Sequence, residues 1–304
     1  MSNALLGCAI GDALGVPFES KPANFPLLLG WDEKSFLGSA HHNLLPAQFS
    51  DDTQFSKTVA QSLIDCHGFD PDDLSKRYVD LFTSKTIRGY GTTTLLAINN
   101  LISGKHWSSS GIAGSYGNGT AMRAAPFGVY FRNDIQSLVA ICKMDSAMTH
   151  ASEEAEAGSI AIALAAAYAI NDDTDGLLEK ICEHLPDSKV KNSIFSLSAL
   201  LDNELIAPSI ALRVLGTKCN VIETVPSVLY CFLRFDNYQE ACTTIIKCGG
   251  DTDTNSSILG ALYGAKYGMK HFSEYHIKNV EDSEKLIILD SQLFSRGSDN
   301  FLSR

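Results

Sequence analysis

ASEEAEAGSIAIALAAAYAI, residues 151–170, opens with Glu153, Glu154 and Glu156 and then runs uncharged and apolar over the eleven residues 160–170. Acids suit the positive end of a helix and alanine is the strongest helix former, so the stretch predicts a helix that starts beside the glutamates. A helix apolar on every side belongs inside a protein. Eleven residues fall well short of the ~20 needed to cross a bilayer, so this is a core helix and not a membrane one.

Outward from this helix, spacing of 3.6 residues recurs along most of the chain. Leu5, Cys8, Ala9 and Asp12 open one pattern, and Phe55, Val59, Leu63 and Ile64 follow the start signal Ser50-Asp51-Asp52. Leu74, Tyr78, Leu81 and Phe82 follow Asp70-Pro71-Asp72-Asp73, where Asp caps a helix and Pro fits its first turn. Leu95, Ile98 and Leu101 mark another, as do Leu138, Ile141 and Cys142. Further helices are expected over 175–185, 189–201, 206–215, 238–247 and 252–268. Strand-length β-branched runs are few, with 221–224 and 286–289 the best candidates. The expected fold class is therefore all-α. Residues 20–49 and 103–118 are too rich in Gly, Pro, Ser and His for helix, and loops of that length are commonly functional. No linker divides the chain, so one domain over 1–304 is expected.

The 304 residues are 45% apolar and 19% charged, and 24 basic against 35 acidic side chains leave a net charge of −11. That profile is globular and too apolar for disorder. Sequence-independent nucleic-acid binding is not expected, because it needs a net positive face to displace counterions. Eight cysteines show no CxxC and no zinc-finger spacing, which reads as reduced thiols in a cytoplasmic protein. The N-terminus lacks a basic n-region and a cleavage site, so no signal peptide is expected.

The chemistry concentrates in two acid clusters about 200 residues apart: Ser50-Asp51-Asp52-Thr53 and Gly249-Gly250-Asp251-Thr252-Asp253-Thr254. Carboxylates beside hydroxyls form an oxygen-only donor set suited to Mg²⁺, Mn²⁺ or Ca²⁺ and poorly suited to zinc. The alternative is helix capping, which also serves for the similar clusters at 70–73 and 172–175. The glycine pair ahead of Asp251 favours the metal reading, since it permits a backbone that capping does not require. Gly117-Asn118-Gly119-Thr120-Ala121-Met122-Arg123 is a glycine-rich loop entering a helix, an arrangement that offers free N–H groups to phosphate or marks an ordinary turn. Arg123 suits a phosphate or a carboxylate. In Arg88-Gly89-Tyr90-Gly91, Tyr90 is placed to stack on a base or to be a loop residue. His150 stands just ahead of the core helix as a ligand contact, a cap or a packed residue. Gly7, Gly11 and Gly15 recur every four residues, a device for close helix packing. Asp12 on that apolar helix needs a partner if buried, and Glu19 follows the helix end at Pro17.

In order, GCAIGDALGVPFE (7–19), SDDT (50–53), RGYG (88–91), GNGTAMRAAP (117–126), THASEEAEAG (149–158) and GGDTDTNSSILGALYGAKYG (249–268) resemble the ADP-ribosylglycohydrolase family. The match covers residues 5 to 268 and leaves 269–304 divergent. The resemblance implies a compact orthogonal multi-helix domain whose cleft holds two divalent ions, Mg²⁺ or Mn²⁺, and takes ADP-ribose. It implies metal binding by Ser50, Asp51, Asp52, Asp251, Asp253 and Thr254. Ligand contacts would come from Gly117, Asn118, Gly119, Thr120, Ala121 and Met122, with Tyr90, Gly91 and His150. Glu19 matches the family's glutamate at the cleft entrance, and Asp251 is the first choice to activate water, with Glu19 second. The implied activity is hydrolysis of the bond between ADP-ribose and a modified acceptor, a protein arginine first. The competing readings are an inactive relative, crystallin-like or binding ADP-ribosylated targets, and a two-metal phosphohydrolase. Three departures stand out: Ser50 replaces the family's usual Thr, residues 269–272 replace its Ile-Pro and Trp, and the entrance segment carries Trp31, His41 and His42.

Overall fold

The computed structural model describes residues 2–299; Met1 and residues 300–304 of the expected domain lie outside the described residues. Seventeen α-helices follow one another among the described residues. The first eight are α1 (Ala4–Gly15), α2 (Pro26–Gly30), α3 (Asp51–Asp65), α4 (Pro71–Thr83), α5 (Thr92–Ile102), α6 (Ala125–Tyr130), α7 (Ile135–Thr149) and α8 (Glu153–Ile170). Then come α9 (Leu177–His184), α10 (Lys189–Phe195), α11 (Leu197–Leu201), α12 (Pro208–Leu215) and α13 (Val221–Arg234). The last are α14 (Tyr238–Lys247), α15 (Thr252–Tyr267), α16 (Glu274–Asn279) and α17 (Ser283–Asp299). Among the described residues, strand is limited to four two-residue pieces. β1 (Lys21–Pro22) pairs antiparallel with β4 (Gly249–Gly250), and β2 (Ile112–Ala113) pairs parallel with β3 (His150–Ala151). The fold is all-α, as expected. No helix among the described residues is long and apolar enough to cross a membrane.

The alanine-rich stretch is α8, capped by Ser152, whose hydroxyl accepts from the Ala155 N–H at 3.1 Å. Its residues 157–167 are buried, packed by α6, α7, α13 and α15. Both candidate strands are helical. Residues 221–224 open α13, where the Asn220 side chain accepts from the Glu223 N–H at 3.1 Å. β-Branched residues there signal a strand locally, but the cap and the apolar face that continues to Phe232 decide for helix. Residues 286–289 lie in α17; Leu286, Leu289 and Leu293 are buried while Ile288 is exposed, a helical period that a four-residue window cannot reveal. The two long irregular segments hold only short pieces, α2 with β1 in the first and β2 with a single 3₁₀ turn in the second.

Antiparallel packing of α1 on α15 organises the rest. The glycine stripe meets the other backbone directly: Gly7 faces the Gly260 carbonyl, Gly11 the Ser256 carbonyl and Gly15 the Thr252 carbonyl, each too close to admit a β-carbon. Gly264 faces the Asn3 carbonyl in the same way. The Ser256 hydroxyl donates to the Gly11 carbonyl at 2.7 Å and the Thr252 hydroxyl to the Gly15 carbonyl at 2.8 Å. Asn3 makes no side-chain cap for α1. Instead the Asp290 carboxylate, from α17, accepts the Leu5 and Leu6 N–H groups at 2.9 and 3.1 Å. The C-terminal end of α1 thus lies beside the N-terminal end of α15, which carries one of the two acid clusters.

Candidate active site

The second cluster is brought to the same place through Asp12. One carboxylate oxygen of this buried residue accepts the Ser50 N–H at 2.9 Å, and the other accepts the Thr53 N–H at 3.1 Å and the Thr53 hydroxyl at 2.7 Å. Asp12 therefore satisfies N–H groups that the start of α3 would otherwise leave unpaired. Ser50 caps α3 and donates its hydroxyl to Asp52 at 3.0 Å. On the other side, Gly249 and Gly250 take φ of +73° and +83°. A β-carbon on Gly249 would lie 2.5 Å from the Lys21 carbonyl oxygen, so the entry to α15 threads a gap only glycine fits. The Asp251 N–H then donates to the Thr217 carbonyl at 2.8 Å, which fixes the acid at the helix start.

Asp51, Asp52, Asp251 and Asp253 are all buried, and none forms an ion pair with Lys or Arg among the described residues. Arg123 is committed to Asp145 at 2.9 Å and Arg88 to Glu281. Burial first, and then the neighbouring carboxylates, hold the Asp51, Asp52 and Asp253 carboxyls well above their usual range. Asp251 is raised by burial, partly offset by its hydrogen bonds to Asp253 and Asn118. One oxygen of Asp52 is buried with no hydrogen-bond partner. An orphaned carboxylate oxygen inside an oxygen-rich cluster, with no protein cation to neutralise it, fits a hard divalent ion. The control cluster behaves differently: Asp70 merely caps α4, accepting the Asp72 and Asp73 N–H groups at 2.9 and 3.0 Å in solvent. Thr254 is buried beside the acids, its N–H on Asp253 at 3.0 Å.

Asn118 links this cluster to the glycine loop. Its amide donates to Asp251 at 2.5 Å and to the Thr224 hydroxyl at 2.9 Å, while its oxygen accepts the Cys219 thiol at 3.3 Å. Gly117 and Gly119 lie on the His150 ring, and a β-carbon on Gly119 would meet the imidazole at 2.7 Å. Burial first, then the Arg123 charge, push His150 down to about 3, so it is neutral near pH 7. Thr120 turns its hydroxyl to the Ala155 carbonyl at 2.9 Å, and Ala121 and Met122 are buried. The Ala121 and Met122 N–H groups both donate to the Asn118 carbonyl, which closes the turn. Arg123 holds the loop, donating to the Gly119 carbonyl at 2.8 Å. Tyr90 packs on Phe82 with ring centroids 4.9 Å apart, and Gly91 caps α5. The glycine of that motif nearest the acids is Gly89, where a β-carbon would lie 3.5 Å from Asp51 and from His42.

Glu19 reaches the cluster and pairs with His42, and one donor atom each of Glu19, His42 and Asp253 lie within 4.8 Å of one another. Asp12, His42 and Gly89 were assigned no role at the site from sequence, although Asp12 and Gly89 stand in two of the motifs and His42 in the entrance segment; the signals available were the need of a buried Asp12 for partners and the histidine pair at 41–42. A cavity of about 920 Å³ opens beside Asp251, lined among others by Lys21, Arg213, Lys218 and Lys247.

Residues 2–301 match the profile of the family described as ADP-ribosylglycohydrolase. The chain is 27% identical to the ADP-ribosylhydrolase ARH3 of Mus musculus over 335 residues, covering 96% of this chain and 90% of that protein. It is 28% identical to an uncharacterized protein of Archaeoglobus fulgidus, over 96% of this chain and 95% of that one. A solved structure named ADP-ribosylglycohydrolase-related protein complex superposes with a TM-score of 0.80 at 25% identity, covering 97% of this chain and 96% of that one.

Proposed function

The chain belongs to the ADP-ribosylglycohydrolase family and is a hydrolase of ADP-ribosyl bonds; from that premise we propose that it releases ADP-ribose from a modified protein side chain with the help of two divalent ions, Mg²⁺ or Mn²⁺. The observation that carries the reading is the meeting of four buried carboxylates with no protein cation to balance them. Ser50, Asp51, Asp52 and Asp253 would hold one ion, and Asp251, Asp253 and Thr254 the other; bound there, the ions would offset the carboxylate charge and supply Lewis-acid stabilisation to the ribose hydroxyls and the attacking water.

The chain's own groups do the rest. Backbone N–H groups at Gly117, Asn118 and Gly119 receive the diphosphate, with neutral His150 beneath them, while the Ala121 and Met122 N–H groups close the turn on the Asn118 carbonyl and shape the loop. Tyr90 and Gly91 bound the ligand's outer end. Asp251, oriented by the Asn118 amide at 2.5 Å, takes a proton from water as its oxygen bonds to the anomeric carbon. The bond from that carbon to the acceptor breaks through an oxocarbenium-like state, and the proton passes to the acceptor. Glu19, at the entrance, is the second group able to carry that proton. The eight unpaired cysteines support a reducing compartment, the cytoplasm.

Arginine is the acceptor expected from the sequence pattern. One observation favours a neutral acceptor such as serine instead: in the cavity at Asp251 the cations Lys21, Arg213, Lys218 and Lys247 outnumber the acids Glu223 and Asp251, a balance that opposes a guanidinium. The test incubates the protein and Mn²⁺ with substrates ADP-ribosylated separately on Arg and on Ser, and identifies the product by mass. Intact ADP-ribose is expected, and Asp251→Asn with Asp253→Asn should lower release by at least 100-fold. Unchanged release by that double variant would refute the site, and free phosphate or AMP as product would point to a phosphohydrolase.

A further inference from the structure

The entrance segment brings a nitrogen donor to an otherwise oxygen-rich site. His42 lies on a tight turn in which Ser39 and Leu44 exchange backbone hydrogen bonds at 2.9 Å each way. The Ser39 hydroxyl accepts the His42 N–H at 3.4 Å, and the His41 ring stacks edge-on against His42 with centroids 4.5 Å apart. Gly89 backs the ring on its Nδ1 side, where a β-carbon would approach to 3.5 Å, so Nε2 is the nitrogen turned towards Glu19. A hydrogen bond to Glu19 satisfies His42 alone. It leaves the Asp253 oxygen beside the Glu19 carboxylate, within 4.8 Å of both other donor atoms, with the two negative charges opposed. A cation answers all three groups at once.

Resting on the two-ion reading, we propose that one of the ions is held by Glu19 and the His42 imidazole as well as by Asp253. Imidazole favours first-row transition ions, whereas carboxylate and hydroxyl oxygens alone serve Mg²⁺ equally well. The chain therefore selects Mn²⁺ over Mg²⁺, and the ion fastens the entrance segment to the start of α15, joining residues 19, 42 and 253.

The test loads the full chain with Mn²⁺ and records electron spin-echo envelope modulation, which detects a directly bound nitrogen. The wild type should show ¹⁴N modulation that His42→Ala loses and His41→Ala keeps. By calorimetry, His42→Ala should reduce the preference for Mn²⁺ over Mg²⁺ by roughly tenfold or more. Bound Mn²⁺ without ¹⁴N modulation in the wild type, or modulation that survives in His42→Ala, would overturn the proposal. ADP-ribose release is measured on the same samples. Release without nitrogen ligation removes the His42 assignment and leaves the hydrolase reading standing, whereas nitrogen ligation without release does the reverse.

Discussion

Asp12 shows how one carboxylate can build a site it need not touch. Its two oxygens take three donors from the first turn of α3, so Ser50, Asp51 and Asp52 inherit their positions from α1. Asp12→Asn keeps the size but turns an NH₂ towards a donor. Mn²⁺ affinity should fall roughly 10- to 100-fold, the range for partners that orient metal ligands; titration calorimetry measures it, and unchanged affinity would remove Asp12 from this role. The two acid clusters were legible in sequence because their residue types and order are local. What separates SDDT from the solvent-exposed cluster at 70–73 is burial, which depends on segments far along the chain. The partners of Asp12 lie 38 and 41 residues away, so the sequence could state its need and not its answer.

At the level of elements, the glycine stripe was legible as a packing device, but its partner was not. Four-residue periodicity fixes one face of α1 and says nothing about which helix meets it. A β-carbon on Gly11 would strike the Ser256 carbonyl, backbone that cannot turn aside. Gly11→Ala should therefore cost about 3 kcal/mol, the upper part of the range for overpacking, and lower metal affinity by parting α1 from α15. Gly30→Ala is the control, with nothing within 4 Å of the added carbon. Urea denaturation compares the two, and equal costs would contradict the close packing. The misread strands teach the same limit from the other side: residues 221–224 became helix because the Asn220 cap and the buried face running to Phe232 outweighed local preference, and 286–289 because their burial follows the helical period that continues to Leu293.

For the whole molecule, Asp290 ties the C-terminal helix to the N-terminal one, and it should leave a pH signature. Burial outweighs the two N–H hydrogen bonds and pushes its carboxyl up to about 7. A carboxyl raised in the folded state binds its proton there more tightly than in the unfolded chain. Its contribution is fully present below pH ~4 and is lost as pH rises towards 7. Wild type should thus lose stability relative to Asp290→Asn between about pH 4 and 7, measured by urea melts; a pH-independent difference would show that Asp290 does not titrate in this way. The same tie bears on how the protein is made. α1 is made well before its cap, which lies 285 residues later, and its glycine stripe waits for α15. At ordinary elongation speeds that is roughly 15–60 s during which this apolar helix has α3 and α6 to pack on but lacks its cap and, for most of that time, the α15 backbone its glycines face. The two acid clusters therefore meet late in synthesis, and until α15 is made the apolar, glycine-lined face of α1 stands open to wrong contacts.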